Sequence, residues 1–501
     1  MRVLFVYLPT EKEGFLCLSQ QRFSKYRGDA TLMYPIVPAI GLTMLKQAGY
    51  DVNFIDCIYD QLDVKQFLDR IRIIQPDLII YETKTPVVKQ NWKVVDEIKK
   101  EFPKIKIGVC GDHVSVLPKE TMQNSKVDYV ITGGDFDVSL FKIVEFLNGK
   151  EKKLPKGVYY RIGKLIKDTG KFELIQDLDS LPFIDRDIIP WQNYGEGWRM
   201  YDEFMYILAS RGCYYKCTFC SWPQMLYHNT VRFRSVNNVV DEIELCIRKY
   251  GLKELFFDDD TFTCKKDWVL ELCNEFKKRN IKLRWGINGR VDNTDEEMLK
   301  AMAEAGCKMI KYGIESSSQK SLDTIRKGYK VEDIVKAFAL SKRYNILRHG
   351  TTMIGYPWET KQDMINTIEF VKSLDVDTVQ FSIPVVYPGT KLYDDAIKHG
   401  WLRFKLGDWD KFDMSEPSLL NENMSSDEIV EMCKRGFKEV YFSPKFIMRK
   451  IGSMKSPTQV KWLYRGVKTL VGGHIAGLSN SLQYEKDHGT YVGDEVKVQS
   501  K

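Results

Sequence analysis

Strand-like and helix-like segments alternate twice along this chain, and that alternation restricts the fold more than any other feature. The first series runs over residues 1–150. It opens with the apolar run RVLFVYLP, continues with the helical spacing of PAIGLTMLKQAGY up to Gly49, and then repeats the pattern. Strands are expected at VNFID, DLIIYE, IKIGVCG and VDYVITGG, with helices at DVKQFLDRIRIIQ, QNWKVVDEIKKEF and VSLFKIVEFL. Such a series predicts a doubly wound α/β domain whose parallel sheet binds ligands beyond the carboxyl ends of its strands. Those ends fall at Glu82–Pro86, Gly111–Ser115 and Thr132–Asp137, all polar or glycine-rich.

Residues 151–204 form a connector. GVYYRIGKLIKDTGKFELI predicts a hairpin, and DLDSLPFIDRDIIPWQ is irregular. The second series occupies 205–400, with strands expected at MYILAS, ELFFDD, LRWGIN, KMIKYGIES, TTMIGY and TVQFSI. Six βα units predict a partial (β/α)6 barrel with function gathered at the strand carboxyl ends. From 401 to 501 the pattern is helical. Ser443-Pro444 and Ser456-Pro457 each read as an N-cap followed by a first-turn proline, and Gln459 completes a capping box with Ser456.

Charge is uneven. Between Gly436 and Leu478 eight basic residues (Lys438, Lys445, Arg449, Lys450, Lys455, Lys461, Arg465 and Lys468) face one acid, Glu439. That local excess equals the formal +7 of the whole chain. Together with the apolar stripe Val460, Leu463, Tyr464, Val467 and Val471, it predicts peripheral contact with a membrane surface. The overall balance gives little reason to expect nucleic acid as a partner. The N-terminal run lacks the basic start and long apolar core of a secretory signal, and no stretch approaches about 18 apolar residues. A cytoplasmic location is therefore expected, and the eleven cysteines read as thiols or metal ligands.

Three of those cysteines stand together in RGCYYKCTFCSWPQ, as Cys213, Cys217 and Cys220. Thiolates bind iron tightly, and a short loop aims three of them at one cluster while leaving one iron for a small chelating ligand. With Phe219 before the last cysteine and a barrel strand just upstream, this segment resembles the radical S-adenosylmethionine superfamily. The resemblance implies a 4Fe-4S cluster, chelation of S-adenosylmethionine by its open iron, and a 5′-deoxyadenosyl radical that abstracts hydrogen. It also implies contacts to S-adenosylmethionine from the later strand ends. Asp258 or Asp259 would meet the ammonium group, Asn288 and Arg290 the carboxylate, Glu315 the ribose, and Gly355 and Tyr356 the adenine.

The α/β domain in front of the barrel, with the connector DLDSLPFIDRDIIP, resembles the cobalamin-dependent branch of that superfamily across nearly 400 residues. The first domain would then be Rossmann-like and hold cobalamin through Thr83, Lys84, Thr85, Gly111, Asp112, His113, Ser115, Gly133, Gly134 and Asp135. Glycines there are expected to let the backbone approach a large planar ligand. Asp112 and His113 are adjacent and lack the Asp-x-His-x-x-Gly pattern that puts histidine on cobalt, so a corrin without a histidine ligand is expected. His113 itself reads equally as a capping residue. The branch implies methylation of an unactivated carbon on a small-molecule or lipid substrate, or alternatively cyclisation, rearrangement or oxidation. A flavodoxin or ferredoxin would supply electrons. A minor alternative is a methylthiotransferase, with Cys17, Cys57 and Cys110 holding a second cluster.

Overall fold

The computed structural model describes residues 1–11, 14–16, 18, 26–27 and 32–453. Cys17 lies outside them, as do Lys455, Lys461, Arg465, Lys468, the Ser456-Pro457 cap and its stripe.

The first series folds as β1 (Arg2–Tyr7), α1 (Ile36–Gln47), β2 (Asp51–Asp56), α2 (Val64–Ile74), β3 (Leu78–Glu82) and α3 (Val88–Glu101). It continues through β4 (Lys106–Cys110), the short helices α4 (Asp112–Val116) and α5 (Pro118–Asn124), β5 (Tyr129–Ile131) and α6 (Phe136–Leu147). Two short helices thus occupy the stretch between IKIGVCG and VDYVITGG, where the alternating pattern was silent. Local chemistry starts and stops these elements. Asp63 caps α2 in a capping box with Gln66, and Gln75 ends it in the left-handed conformation.

The strands order as β2-β1-β3-β4-β5, all parallel, so the chain reverses its winding between β1 and β3. The connector hairpin, β6 (Val158–Ile162) and β7 (Leu165–Asp168), does not stand alone. It joins this sheet antiparallel to β5, with Tyr129 opposite Tyr160. The sheet has seven strands, and the physical domain runs past residue 150.

The second sheet holds β8 (Phe204–Ile207), β9 (Glu254–Phe257), β10 (Arg284–Gly289), β11 (Cys307–Glu315), β12 (Leu347–Met353) and β13 (Thr378–Ser382). They are in sequence order and all parallel. Between them lie α7 (Ser221–Met225), α8 (Val236–Tyr250), α9 (Lys266–Lys278), α10 (Glu296–Glu304), α11 (Gln319–Thr324), α12 (Val331–Arg343) and α13 (Lys361–Ser373). This is the expected open six-stranded barrel. Alternation along each strand sorts side chains between helices and lumen. Tyr312 faces α12, where its ring lies 5.4 Å from Phe338, while its neighbour Lys311 points inward.

After α14 (Lys391–His399) the chain crosses the barrel as irregular loops, and only then forms α15 (Ser426–Tyr441) and α16 (Pro444–Ser453). Ser443 Oγ accepts from the Phe446 amide at 3.2 Å, the cap its position before Pro444 predicts. The basic residues of α16 are turned to the barrel. Arg449 pairs with Asp375, and Lys450 stands 3.8 Å from Asp377. Among the described residues no helix is long and apolar enough to cross a membrane.

The core under α1 and α6 is continuous with that of the barrel, whereas α2, α3 and α5 cover a separate core on the far side of the first sheet.

Candidate active site

The cysteine loop leaves a short ribbon in which Ser210–Gly212 pairs with Val231–Phe233. Gly212 sits at φ +89° with its Cα facing the Thr230 carbonyl. A Cβ there would lie 2.2 Å from that oxygen, so only glycine lets the chain turn into Cys213. Cys213 and Cys217 are buried and Cys220 is half-buried. Gln224, on α7, clamps the loop. Its Nε2 donates to the carbonyls of Cys220 (2.6 Å), Cys217 (3.1 Å) and Thr218 (3.4 Å), while its Oε1 accepts from the Lys391 amide at 3.0 Å. Thr261 Oγ1 lies 3.4 Å from Cys213 Sγ, and Arg290 Nη1 lies 3.9 Å from Cys217 Sγ. Burial holds the Cys213 thiol above its usual pKa, and the hydrogen bond with Thr261 offsets part of that rise. Sequence reasoning assigns neither Gln224 nor Thr261 a role, although Gln224 ends the stretch RGCYYKCTFCSWPQ and Thr261 lies in the strand-end run Asp258–Phe262.

The strand ends around the loop divide their polar residues between the mouth and the framework. Asp259 is wholly buried and accepts from Ser210 Oγ and, at 3.2 Å, from the Ala209 amide. Burial lifts its pKa to about 6. It ties β9 to β8 and is not turned to the mouth. Asp258 is directed across the strand ends, 3.4 Å from Asn288 Nδ2. Arg290 is already engaged. It holds Asp292 with two bonds of 3.0 Å, donates to the Lys327 carbonyl at 2.6 Å, and stacks 3.5 Å from the Tyr215 ring centroid. The sequence reading placed it on the S-adenosylmethionine carboxylate; here its Nε and Nη2 are taken, among the described residues its Nη1 reaches only Cys217 Sγ at 3.9 Å, and it braces the cysteine loop. Glu315 adopts φ +59°, uncommon for a residue with a Cβ, and pairs with Lys327 at 2.6 Å. Lys327 also sits over the Phe219 ring. Gly355 (φ +104°) and Tyr356 donate their amides to Glu359, whose pKa burial raises to about 7. The Tyr356 ring stacks on Trp358 at 4.8 Å.

The rim of the first domain faces α7. Lys84 is buried, 3.7 Å from Asp112 and over the Trp222 ring. Thr83 Oγ1 donates to Asn91 Oδ1 at 2.7 Å, and Ser115 Oγ both donates to the Gly111 carbonyl and accepts from the Gly133 amide. Burial pushes the Glu82 carboxyl up to about 8. His113 is fully buried with both ring nitrogens occupied, by Thr85 Oγ1 at 3.2 Å and Glu120 Oε2 at 3.1 Å. The Trp409 indole donates to the same Glu120. His113 is thus a fastening between the first domain and the segment after α14.

Two expectations for this rim need correction. The space in front of Gly133 and Gly134 is filled by the chain's own rings. Cβ atoms there would lie 2.5 Å from Phe172 and 2.2 Å from Tyr227, and one on Gly111 would meet the Thr83 carbonyl at 2.1 Å. These glycines admit protein rather than a planar ligand. Asp135 is likewise taken, by Arg211 (3.1 Å) and Arg232 (2.5 Å), and Arg211 also binds Asp137 at 2.6 Å. This buried network of two arginines and two aspartates locks the first domain to the barrel ribbon.

The donor sets suit the groups the sequence implied. Three thiols share one loop beside a cation, and a carboxylate and an amide meet at the ends of two neighbouring strands. Next to Thr83 at the rim of the first domain, Asn91 Nδ2 is buried without a hydrogen-bond partner among the described residues, a donor for a ligand fringed with carbonyls. Among the described residues no three His, Cys, Asp or Glu side chains are grouped as ligands of a single ion. The second-cluster alternative fares worse. Cys57 follows β2 and Cys110 ends β4, on opposite faces of the sheet and three strands apart, about 14 Å at ~4.8 Å per strand.

Known proteins share the sequence pattern and the fold. The radical SAM superfamily model matches residues 207–371 and the B12 binding domain model residues 33–137. The chain is 28% identical to an uncharacterized methyltransferase of Pyrococcus horikoshii, covering 83% of this chain and 90% of the relative. It is 30% identical to a putative methylthiotransferase of Methanocaldococcus jannaschii, over 74% and 81%. It is 26% identical to the anaerobic magnesium-protoporphyrin IX monomethyl ester cyclase of Cereibacter sphaeroides, over 79% and 65%. The fold matches the cobalamin-dependent S-adenosylmethionine radical enzyme OxsB, solved with aqua-cobalamin and S-adenosylmethionine bound. The TM-score is 0.69 at 15% identity, over 97% of this chain and 75% of that one. It also matches the radical S-adenosylmethionine methyltransferase TsrM of Kitasatospora setae (TM-score 0.64, 17% identity, 81% and 77%). With the radical SAM and B12 binding domain models matched in order along one chain, this protein belongs to the cobalamin-dependent radical S-adenosylmethionine enzymes.

Proposed function

We propose that the chain is a C-methyltransferase acting on an unactivated carbon of a small molecule. The observation that carries this reading is the direct apposition of the cysteine loop's helix α7 and the rim of the first domain, through Lys84 against Trp222. When bound, the cluster with S-adenosylmethionine supplies a carbon radical and cobalamin supplies a methyl carrier. The residues hold the two chemistries within one core. Cys213, Cys217 and Cys220 are assigned to the cluster, with Gln224 and Arg290 fixing the loop that presents them. Asp258 and Asn288 are assigned to the polar end of S-adenosylmethionine, and Phe219, Glu315, Gly355 and Tyr356 to the wall around its nucleoside. Thr83, Lys84, Thr85, Asp112 and Ser115 line the corrin side.

The test follows from what a methyl transfer consumes. Methyl leaves sulfur to a nucleophilic carrier, while an unactivated carbon accepts it only as a radical. Each product should therefore cost two S-adenosylmethionine molecules, giving one S-adenosylhomocysteine and one 5′-deoxyadenosine. Mass spectrometry with methyl-labelled S-adenosylmethionine reads both. Product with deoxyadenosine alone and no label would replace this reading with the cyclase type, which the similarity to the Cereibacter enzyme keeps in view. An electron-transfer protein of the flavodoxin or ferredoxin kind is the proposed reductant. The membrane contact expected from the basic C-terminal stretch is supported by Phe442, Ile447, Met448 and Ile451, which are exposed on and beside α16. Flotation with anionic liposomes tests it, and no binding at low salt would remove it.

A further inference from the structure

The cysteine loop has a covered side and an open side. Its covered side continues into α7, which is pressed between the first domain and the loop around Gly389. A Cβ on Gly389 would lie 2.5 Å from Val116 and 3.3 Å from Met225. On the other side the loop lies across the ends of β9, β10 and β11. Tyr214 donates to the Cys264 carbonyl at 3.4 Å, Tyr215 donates to Asn293 at 2.8 Å, and the Thr218 amide donates to Ile325 at 2.9 Å. Here the surface opens. Tyr214 is 42% exposed, Lys216 beside it is exposed, and so are Lys265 on the segment after β9 and Arg326 and Lys330 on the segment after β11.

None of these four cations has an acidic partner among the described residues, in a chain whose surface lysines and arginines are otherwise widely paired. The carboxylates close by in the chain are occupied. Arg290 holds Asp292, the Gln319 amide donates to Asp323, and Asp333 caps the Lys330 amide. Those neutral donors leave the charges of Asp323 and Asp333 in place, so five cations, counting exposed Lys320, stand against Asp267, Asp323, Glu332 and Asp333, a net +1.

We propose that this face is the docking surface for a small acidic one-electron donor protein, and that Lys216, Lys265, Arg326 and Lys330 steer it. The inference rests on the cluster assignment of Cys213, Cys217 and Cys220. Electron transfer weakens steeply with distance, so the donor must approach where the cluster loop reaches the surface, and the domain interface closes the other side. The adjoining, mutually tilted rings of Tyr214 and Tyr215, with centroids 4.5 Å apart, lead from that face to Arg290 and so to Cys217. Transient electron-transfer partners meet through small, charged interfaces whose complementarity sets the association rate. One electron crosses, the donor is oxidised by one and the cluster reduced by one, and no proton or group moves with it.

The test uses full-length protein with its reconstituted cluster and measures 5′-deoxyadenosine formed from S-adenosylmethionine. One series is driven by reduced flavodoxin and the other by titanium citrate. In the K216E/R326E double variant the flavodoxin-driven rate should fall roughly tenfold or more at low salt, while the titanium-driven rate stays at the wild-type level. Wild-type turnover with flavodoxin should drop as salt rises, and the charge-keeping pair K216R/R326K should behave as wild type. Reversal of the remote, exposed Lys152 and Lys153 should change neither rate. A flavodoxin rate indifferent to K216E/R326E overturns the proposal, and so does equal slowing with both reductants. If titanium citrate fails to reduce the wild-type protein at all, the cluster assignment fails instead.

Discussion

At the barrel mouth three thiols and their clamp, Gln224, belong to one continuous stretch. The rim of the first domain is assembled from segments 83–85, 111–115 and 133–135, drawn together only by the sheet. The mouth keeps its chemical groups pointed at one another. The rim commits some of its polar residues to holding the molecule together: Asp135 to Arg211 and Arg232, His113 to Glu120 and Thr85. A conspicuous polar residue at a strand end therefore serves the framework as readily as it serves a site. The buried arginine–aspartate network teaches the same lesson, because it fixes how the two cofactor-bearing halves face each other.

Four measurements sharpen or break that contrast. The largest effect is expected at the mouth. Anaerobically reconstituted protein should carry one four-iron cluster, and Cys213→Ser, Cys217→Ser or Cys220→Ser should each abolish it by iron analysis and visible absorbance. Iron that survives all three substitutions together would contradict the single-site assignment.

Next comes the rim's structural share. Asp137→Ala leaves the fully buried Arg211 without its closest carboxylate, at 2.6 Å. Breaking a buried pair in this way costs about 3–5 kcal/mol. Urea denaturation should register the loss while the fold of each half survives. A change below about 1 kcal/mol would mean the network is ornamental to stability.

A smaller effect concerns pH. Burial holds Glu82 protonated up to about 8, against an ordinary 4.5. The folded chain then keeps a proton that the unfolded chain has released, so this group's contribution to stability declines as pH climbs from about 4.5 to 8. Glu82→Gln removes that decline. The melting temperature of the variant, relative to the parent, should rise between pH 6 and pH 8.5. A flat difference would show that Tyr7, whose hydroxyl donates to Glu82 at 3.1 Å, and the nearby Lys84 keep the carboxylate ionised.

The smallest effect is expected where a histidine looked most like a ligand. With both His113 nitrogens occupied, His113→Gln should leave the cob(II)alamin electron paramagnetic resonance spectrum unchanged and free of nitrogen splitting from the protein. Splitting that vanishes in the variant would mean the Glu120 fastening opens when cobalamin binds.

The two αβ series, the open barrel and the cysteine loop were legible because each is carried by local periodicity or spacing, which needs no knowledge of distant residues. The α4–α5 pair escaped because both helices are too short for a period to declare itself. The β6–β7 hairpin was visible as a hairpin. Its attachment to the first sheet was not, since edge pairing depends on which strand is left unpartnered in space. The same limit governed the site. Composition marked Asp258, Asp259 and Arg290 equally as polar residues at strand ends. Only packing turned Asp259 to Ser210, gave Arg290 to Asp292 and the cysteine loop, and left Asp258 beside Asn288. The sequence by itself determined which chemistry the chain can carry, because thiols, glycines and alternating strands are properties of short segments. The tertiary structure alone decided which residues are free to perform it, because a charge buried far from water takes whatever partner the fold brings within reach.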